Sequence, residues 1–411
     1  MTTPAHPALA DGPVYLDYNA TTPVDPRVVA AMVPHLTAHF GNPSSGHDYG
    51  TRARGALADA RARVAALIGA RPGEIVFTGS GSEANLLALR GAVLASGRSR
   101  PQVITQATEH PSVRESCDDL RRWHGARITV LPVDGDGLVD PADLAAALTD
   151  ETVLVSVMAA NNETGALQPI PELAAAARAR GALFHCDAAQ AAGRIPLDVR
   201  ALGVDLLTVV GHKMYAPKGV AALAVREGVA LEPVVRGGGQ ERGLRAGTES
   251  VALAVALGAA ADLCAREAAD GAPARLAALR DRLRRRLDEG LPGRVRLHGP
   301  AGTLRLPNTL NIGIAGIGGD ALLAGAPGIA AATGSACHSG VPAPSPVLTA
   351  MGLSGGRALE AVRLSLGRWT TEAEVETAAA ALLAAAGRGI RPRRAARRRS
   401  AARCRNEAYR L

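Results

Sequence analysis

Between residues 75 and 225 short apolar runs alternate with longer stretches whose apolar residues recur at helical spacing. QVITQATEHPSV, RITVLPV, TVLVSVMAANNETG, ALFHCDAAQAAG, VDLLTVVGHK and VAALAV each carry one such run. This order predicts an α/β fold with a mostly parallel sheet sandwiched by helices. Upstream, VYLDYNATTPVDP predicts a short strand, a polar turn and a helix with Asp25 as N-cap and Pro26 in its first turn. FGNPSSGHDYG reads as an irregular loop, Thr51 to Ile68 as a helix ended by Gly69, and Ile75 to Phe77 as a strand. A Gly/Ser turn follows, with a helix from Ala84. After Thr248 the character changes. An alanine-rich helical region from Glu249 through Leu287, the segments VRLHGP and LPNTLNIGI, and a last helix near Glu372 to Ala386 predict a smaller α/β domain. The expected division is a large domain over 15–250, a small C-terminal domain over 251–388 joined by residues 1–14, and a tail over 389–411.

Charge alters this picture only at the end of the chain. The formal net charge is +8, but Arg388 to Leu411 holds ten Arg against one Glu, so the body is close to neutral. The tail lacks apolar periodicity and is expected to be disordered. We read it as a solvated extension, against the competing reading of nucleic-acid or acidic-partner contact. Five cysteines, Cys117, Cys186, Cys264, Cys337 and Cys404, show no disulfide framework or zinc spacing and suit a reducing compartment. No window is long and apolar enough for a membrane span, and no secretory leader precedes the body, so a cytoplasmic protein is expected.

The candidate chemistry begins with a scarcity. Of 46 basic residues, 44 are Arg and two are Lys. Lys213 follows a buried strand, whereas Lys218 sits in the turn Ala-Pro-Lys-Gly. A lysine amine can lose its proton in a desolvated site and attack a carbonyl, which a guanidinium cannot, so Lys213 is expected to hold a carbonyl cofactor as a Schiff base. His110, Asn162 and Asp187 also fall just beyond strand ends, where parallel sheets place ligands. Asp187 suits the ring nitrogen of pyridoxal phosphate or, alternatively, the cap of the following segment. His110 suits stacking and proton transfer, or capping. Thr78-Gly79-Ser80-Gly81-Ser82 before a helix is a phosphate cradle without a Walker lysine, which favours a cofactor monophosphate. Cys337, in the glycine- and proline-rich TGSACHSGVPAPSP, is a reactive-thiol candidate, while Cys186 and Cys264 read as inert core. Arg363 reads either as a carboxylate clamp or as a structural ion pair.

Taken in order, YLDYNATTPVDP, GNPSSGH, FTGSGSEAN, TEHPSV, ANNETG, HCDAAQ, VGHKMYAPKG, GGGQERGLRAGT, GSACHSG and VRLSLGR resemble the cysteine desulfurases. These are pyridoxal 5'-phosphate enzymes of the class V aminotransferase group, fold type I, and the resemblance runs from about Tyr15 to Glu376. It implies that Lys213 carries the cofactor and shuttles protons, and that Asp187 pairs with the pyridinium. Gln190 and Asn162 lie at the phenolate oxygen or substrate, and His110 lies on the ring. The cradle of Gly81 and Ser82 is joined by His212 and Thr248 at the phosphate, Thr248 from the neighbouring subunit of a homodimer. Asn19 and Arg363 bind the substrate carboxylate, and Cys337 takes sulfur from L-cysteine for delivery to an acceptor protein. Val210 stands where many relatives have a phosphate-binding serine, and Cys337-His338-Ser339 replaces the common Cys-Thr-Ser. Both features resemble the selenocysteine lyases, which makes L-selenocysteine the rival substrate. A plain class V aminotransferase and a non-catalytic scaffold acting through its tail are the more distant alternatives.

Overall fold

The computed structural model describes residues 6–333 and 343–389. Cys337, His338, Cys404 and the tail beyond residue 389 lie outside them. Three sheets are present among the described residues. The strands in chain order are β1 (Val14–Tyr15), β2 (Ile75–Thr78), β3 (Gln102–Gln106), β4 (Arg127–Leu131), β5 (Thr152–Ser156) and β6 (Leu183–Asp187). They continue with β7 (Leu206–Val210), β8 (Ala221–Val225), β9 (Val295–Leu297), β10 (Thr309–Ile314), β11 (Ile329–Ala330) and β12 (Ala361–Ser365).

The main sheet has seven strands in the order β2-β8-β7-β6-β5-β3-β4. Only β8 runs against the others: it is antiparallel to both β2 and β7, while the remaining neighbours pair in parallel. Neighbouring residues on several of these strands enter different cores. Val76, Leu154 and Leu206 pack with the Gly81–Ala95 and Pro111–His124 helices on one face. Ile75, Phe77, Val155 and Leu207 pack with the Asp48–Leu67, Ile170–Ala179 and Val251–Ala269 helices on the other. Helices therefore cover both faces, as the continuous apolar runs require. A buried Leu or Val contributes about 1.5–3 kcal/mol, so a few such positions outweigh one poorly solvated polar group at about 1–3 kcal/mol. The sheet can hold desolvated chemistry at its end.

The smaller antiparallel sheet, β12-β10-β9, packs Leu310, Ile312 and Leu364 against the Ala272–Gly290 and Glu372–Gly389 helices. Leu16 joins this core, and β1 pairs with β11. The long helical region expected from Glu249 is two helices, interrupted at Gly271, whose φ of 84° is left-handed. The first packs with the main sheet and the second with the small one.

Local boundaries differ from expectation in two informative places. Ser80 caps the Gly81–Ala95 helix by accepting from the Glu83 amide at 3.1 Å, so the glycine-rich turn is itself the first helical turn, three residues earlier than Ala84. His47 caps the Asp48–Leu67 helix through Nδ1, which turns the end of the expected FGNPSSGHDYG loop into helix. Asp25 and Pro26 open their helix as expected.

Candidate active site

From β3 the chain goes to β4 on one side and then to β5 on the other, so strand order reverses there, the place beyond whose carboxyl ends such sheets bind ligands. β6 ends in Asp187, and β7 runs into a 3-10 turn, Gly211–Lys213. His110 follows β3 as the cap of the Pro111–His124 helix, and Asn162 follows β5. Topology thus delivers His110, Asn162, Asp187 and Lys213 to one end of the sheet.

Segment 19–22 closes over the lysine. Lys213 Nζ donates to the Asn19 carbonyl at 2.6 Å and to the Ala20 carbonyl at 2.7 Å. Thr22 Oγ1 donates to the His212 carbonyl and accepts from the Tyr215 amide, holding that segment to the lysine turn. Burial lowers the Lys213 pKa to about 7, reinforced by the Arg194 and Arg363 charges and opposed by Asp17 and Asp187. A neutral amine has two hydrogens and one lone pair. The two carbonyls take both hydrogens, which leaves the lone pair free as a nucleophile.

A second chain of contacts joins the aspartate to the histidine. Asn85 Nδ2 donates to Asp187 Oδ2 at 2.7 Å and to Ser112 Oγ at 2.9 Å, and Ser112 Oγ lies 2.8 Å from His110 Nδ1. His110 Nδ1 also accepts from the Ser112 amide at 3.1 Å. This donor pattern assigns the proton of the neutral ring to Nε2. Burial lowers the His110 pKa, with Asp187 opposing and Lys213 reinforcing the shift. Asp187 Oδ1 accepts from the Ala189 amide at 2.9 Å. The capping roles weighed for Asp187 and His110 are therefore present together with their place at the strand ends.

Beneath this surface lie groups the sequence did not announce. Glu109 is buried, and Oε1 accepts from the Met158 amide at 2.6 Å, while Oε2 is among the buried atoms with no partner in the described residues. Burial and then the Asp187 charge raise its pKa to about 8. His185, between Ser156 Oγ and Thr208 Oγ1, is lowered to about 4 by burial. Buried Arg194 donates to the Gln190 carbonyl at 3.1 Å, to Gln190 Oε1 and to the Tyr18 carbonyl, fixing Gln190. Gln190 Nε2 in turn donates to the Asn19 carbonyl at 3.0 Å.

In the cradle, the amides of Gly81 and Ser82 stand in the first helical turn, where no carbonyl of the helix can accept them. A Cβ at Gly81 would come within 2.5 Å of Val210 Cγ2, so the helix start and the end of β7 pack closely only because residue 81 is glycine. Ser82 is exposed. His212 Nδ1 lies 3.2 Å from Thr21 Oγ1, and burial lowers its pKa to about 4, with the Lys213 charge reinforcing.

The remaining candidates are arranged less simply. Arg363 donates to Asp17 Oδ1 at 2.7 Å and to the Asn162 carbonyl at 3.1 Å, while its buried Nε has no partner among the described residues. The Asn19 amide is consumed inside the protein: Nδ2 donates to the Asn162 carbonyl and Thr309 Oγ1, and Oδ1 accepts from Asn308. Thr248 is exposed, and Cys337 lies outside the described residues. Cys117, Cys186 and Cys264 are buried, and burial raises all three thiol pKa values, that of Cys264 to about 11.

A lysine with an available lone pair, an oriented carboxylate and a helix start on one parallel sheet define a class of protein. The class-V aminotransferase family model matches residues 14–377, and the chain belongs to that family. Within it the chain is a member of the cysteine desulfurase group. A cysteine desulfurase of Trichormus azollae is 47% identical over 365 residues, which cover 88% of this chain and 90% of that protein. Cysteine desulfurase IscS of Anaeromyxobacter sp. (strain Fw109-5) is 46% identical over 369 residues, covering 89% and 90%. Among solved structures, a NifS-like protein superposes with a TM-score of 0.83 at 33% identity, covering 90% of this chain and 98% of that one. None of these relatives bears the name of a selenocysteine lyase. Among the described residues no helix is long and apolar enough to cross a membrane.

Proposed function

We propose that this chain is a pyridoxal phosphate-dependent cysteine desulfurase in which Lys213 holds the cofactor and Cys337 receives the sulfur. The observation that carries the reading is the Lys213 amine, lowered to about 7 and donating to the Asn19 and Ala20 carbonyls, at the same sheet end as the Asp187-Asn85-Ser112-His110 chain. The donor set suits the group: an amine for its aldehyde, a carboxylate for its ring nitrogen, and free first-turn amides for its phosphate.

When bound, pyridoxal phosphate supplies an electron sink for charge released at the substrate Cα. The protein's part is to place protons and charge. Asp187, held by Asn85 and the Ala189 amide, keeps a proton on the ring nitrogen. Lys213 Nζ accepts the Cα proton and later returns one, which a group lowered to about 7 can do in both directions near neutrality. His110 would lie on the cofactor ring and assist proton transfer. Gln190, fixed by Arg194, and Asn162 orient the phenolate and substrate side. Gly81, Ser82 and His212 receive the phosphate, completed by Thr248 of a second subunit in a homodimer. Arg363 receives the substrate carboxylate through exchange with Asp17.

The Cys337 thiolate takes sulfur from the substrate β-carbon. L-cysteine plus the Cys337 thiol becomes L-alanine plus a Cys337 persulfide, with atoms and electrons balanced and no external redox partner. The persulfide then passes to a separate acceptor protein. Alanine and sulfide release measured on wild type and Cys337→Ala tests the reading: Cys337→Ala should keep cofactor binding and lose alanine formation. Undiminished alanine formation by Cys337→Ala would exclude the thiol step.

A further inference from the structure

Segment 236–250 is fastened at two points, one on β2 and one at the phosphate cradle. Glu241, buried, accepts from Arg61 Nη1 and Nη2 at 2.7 Å each and from the Phe77 amide on β2 at 2.9 Å. Glu241 and Arg242 have φ of 48° and 58°, so two adjacent non-glycine residues are held in the left-handed region. That backbone is unfavourable for L-residues and persists where contacts over-determine it, as the Arg61 fork does here.

The second fastening sits in the cradle itself. Glu83, in the first turn of the Gly81–Ala95 helix, accepts the Gly79 amide on Oε2 at 2.8 Å and Arg245 Nε on Oε1 at 2.8 Å. A Cβ at Gly79 would lie 2.8 Å from Glu83 Oε2 and 3.4 Å from Arg245 Nη2. A carboxylate thus touches the turn that presents amides to an anion, with a guanidinium laid against it. Both side chains are about three-quarters covered, at 27% and 21% exposure, so the pair is shielded more than a surface salt bridge is. Thr248 lies three residues beyond Arg245. The structural expectation for a first-turn Glu is simple helix capping, but capping does not call for a guanidinium at a cradle glycine.

We propose that Arg245 is a positioning residue that sets the phosphate affinity of the cradle by neutralising Glu83, while Glu241 and Arg61 hold the segment bearing Arg245 and Thr248 in register with β2. This rests on the reading of Gly81 and Ser82 as the cofactor's phosphate site. Without Arg245 the Glu83 charge faces the incoming phosphate; without the Glu83 charge the guanidinium is free to attract it. The two deletions therefore act in opposite directions, and only on a phosphorylated ligand.

The test titrates apo-enzyme with pyridoxal phosphate and, separately, with pyridoxal, following the visible absorbance of the bound ligand. Arg245→Ala is expected to weaken pyridoxal phosphate binding by about tenfold or more. Glu83→Gln is expected to tighten it, and adding Glu83→Gln to Arg245→Ala to restore most of the loss. Pyridoxal affinity should stay within about twofold throughout. If Arg245→Ala does not fold, the tightening in Glu83→Gln, whose amide can still accept from Gly79, decides the matter alone. Equal changes for both ligands, or none, would overturn the proposal. Failure of wild type to bind either ligand would instead overturn the cofactor reading beneath it.

Discussion

The two ends of the main sheet treat buried charge in opposite ways. At the carboxyl ends, Lys213, Glu109 and His212 are desolvated and shifted toward neutrality, to about 7, about 8 and about 4. At the amino ends, around a cavity of about 200 Å³ lined by Glu74, Asp205, Arg178, Arg200 and Arg226, carboxylates meet arginines. Arg226 lies 2.5 Å from Asp205, and Arg71 and Arg200 each lie 3.1 Å from Glu74. Burial would raise the Glu74 pKa, but the Arg71 amide and guanidinium, with Arg200, hold it below the ordinary range. One end pushes its groups toward neutrality; the other holds the Glu74 carboxylate toward its ionised form. Proximity of charges marks both ends, so the useful distinction is the direction in which each environment pushes.

Substitutions should separate the ends by the size and kind of their effects. Lys213→Ala is expected to reduce alanine formation by at least about 10³-fold, whereas Lys218→Ala should leave it within about twofold. Asp187→Asn, which keeps the shape and removes the charge, should cost about 10²-fold or more in kcat with cofactor still bound. At the opposite end Glu74→Gln should leave kcat unchanged and lower the unfolding free energy by about 1–3 kcal/mol in denaturant titrations. Ser112→Ala removes one contact to His110 Nδ1 while the Ser112 amide remains, so a loss of about two- to tenfold in kcat is expected, with a shifted pH profile.

The contrast also has a pH signature, read as denaturant midpoint against pH. Glu109 has a folded pKa of about 8, above its unfolded value, so its contribution is present below about 4.5 and is lost as pH rises through 8. Glu74 is lowered, so its contribution is present above about 4.5 and is lost as pH falls through its folded pKa. Lys213 in the apo-enzyme is lowered, so its contribution grows between about pH 7 and 10.5. Glu109→Gln should remove the decline between 4.5 and 8, and Glu74→Gln should soften the acid loss.

Much of this arrangement could be read in the chain, because apolar runs end where parallel strands end and Lys213, Asp187, His110 and Asn162 follow those ends directly. The cradle was legible as composition, but its helix start was not. Glycine and serine have weak helix propensity, and the Ser80 cap overrides it. The break at Gly271 was hidden by alanine periodicity on both sides, although Gly-Ala-Pro carries a stop and a start. Asn85, Ser112, Glu109 and Arg194 left no signal, since a polar side chain inside an element becomes informative only when its distant partner is known. Asn19 shows another side of this: the family resemblance implied a substrate contact, and only the structure shows that its amide also meets Thr309, Asn308 and the Asn162 carbonyl.

The most direct test is to reconstitute the purified protein with pyridoxal phosphate, reduce it with borohydride and map the modified peptide. The protein is expected to be coloured, and reduction to fix one pyridoxyl group on Lys213. A colourless protein after reconstitution, or a label at Lys218 or the N-terminus in place of Lys213, would contradict this expectation.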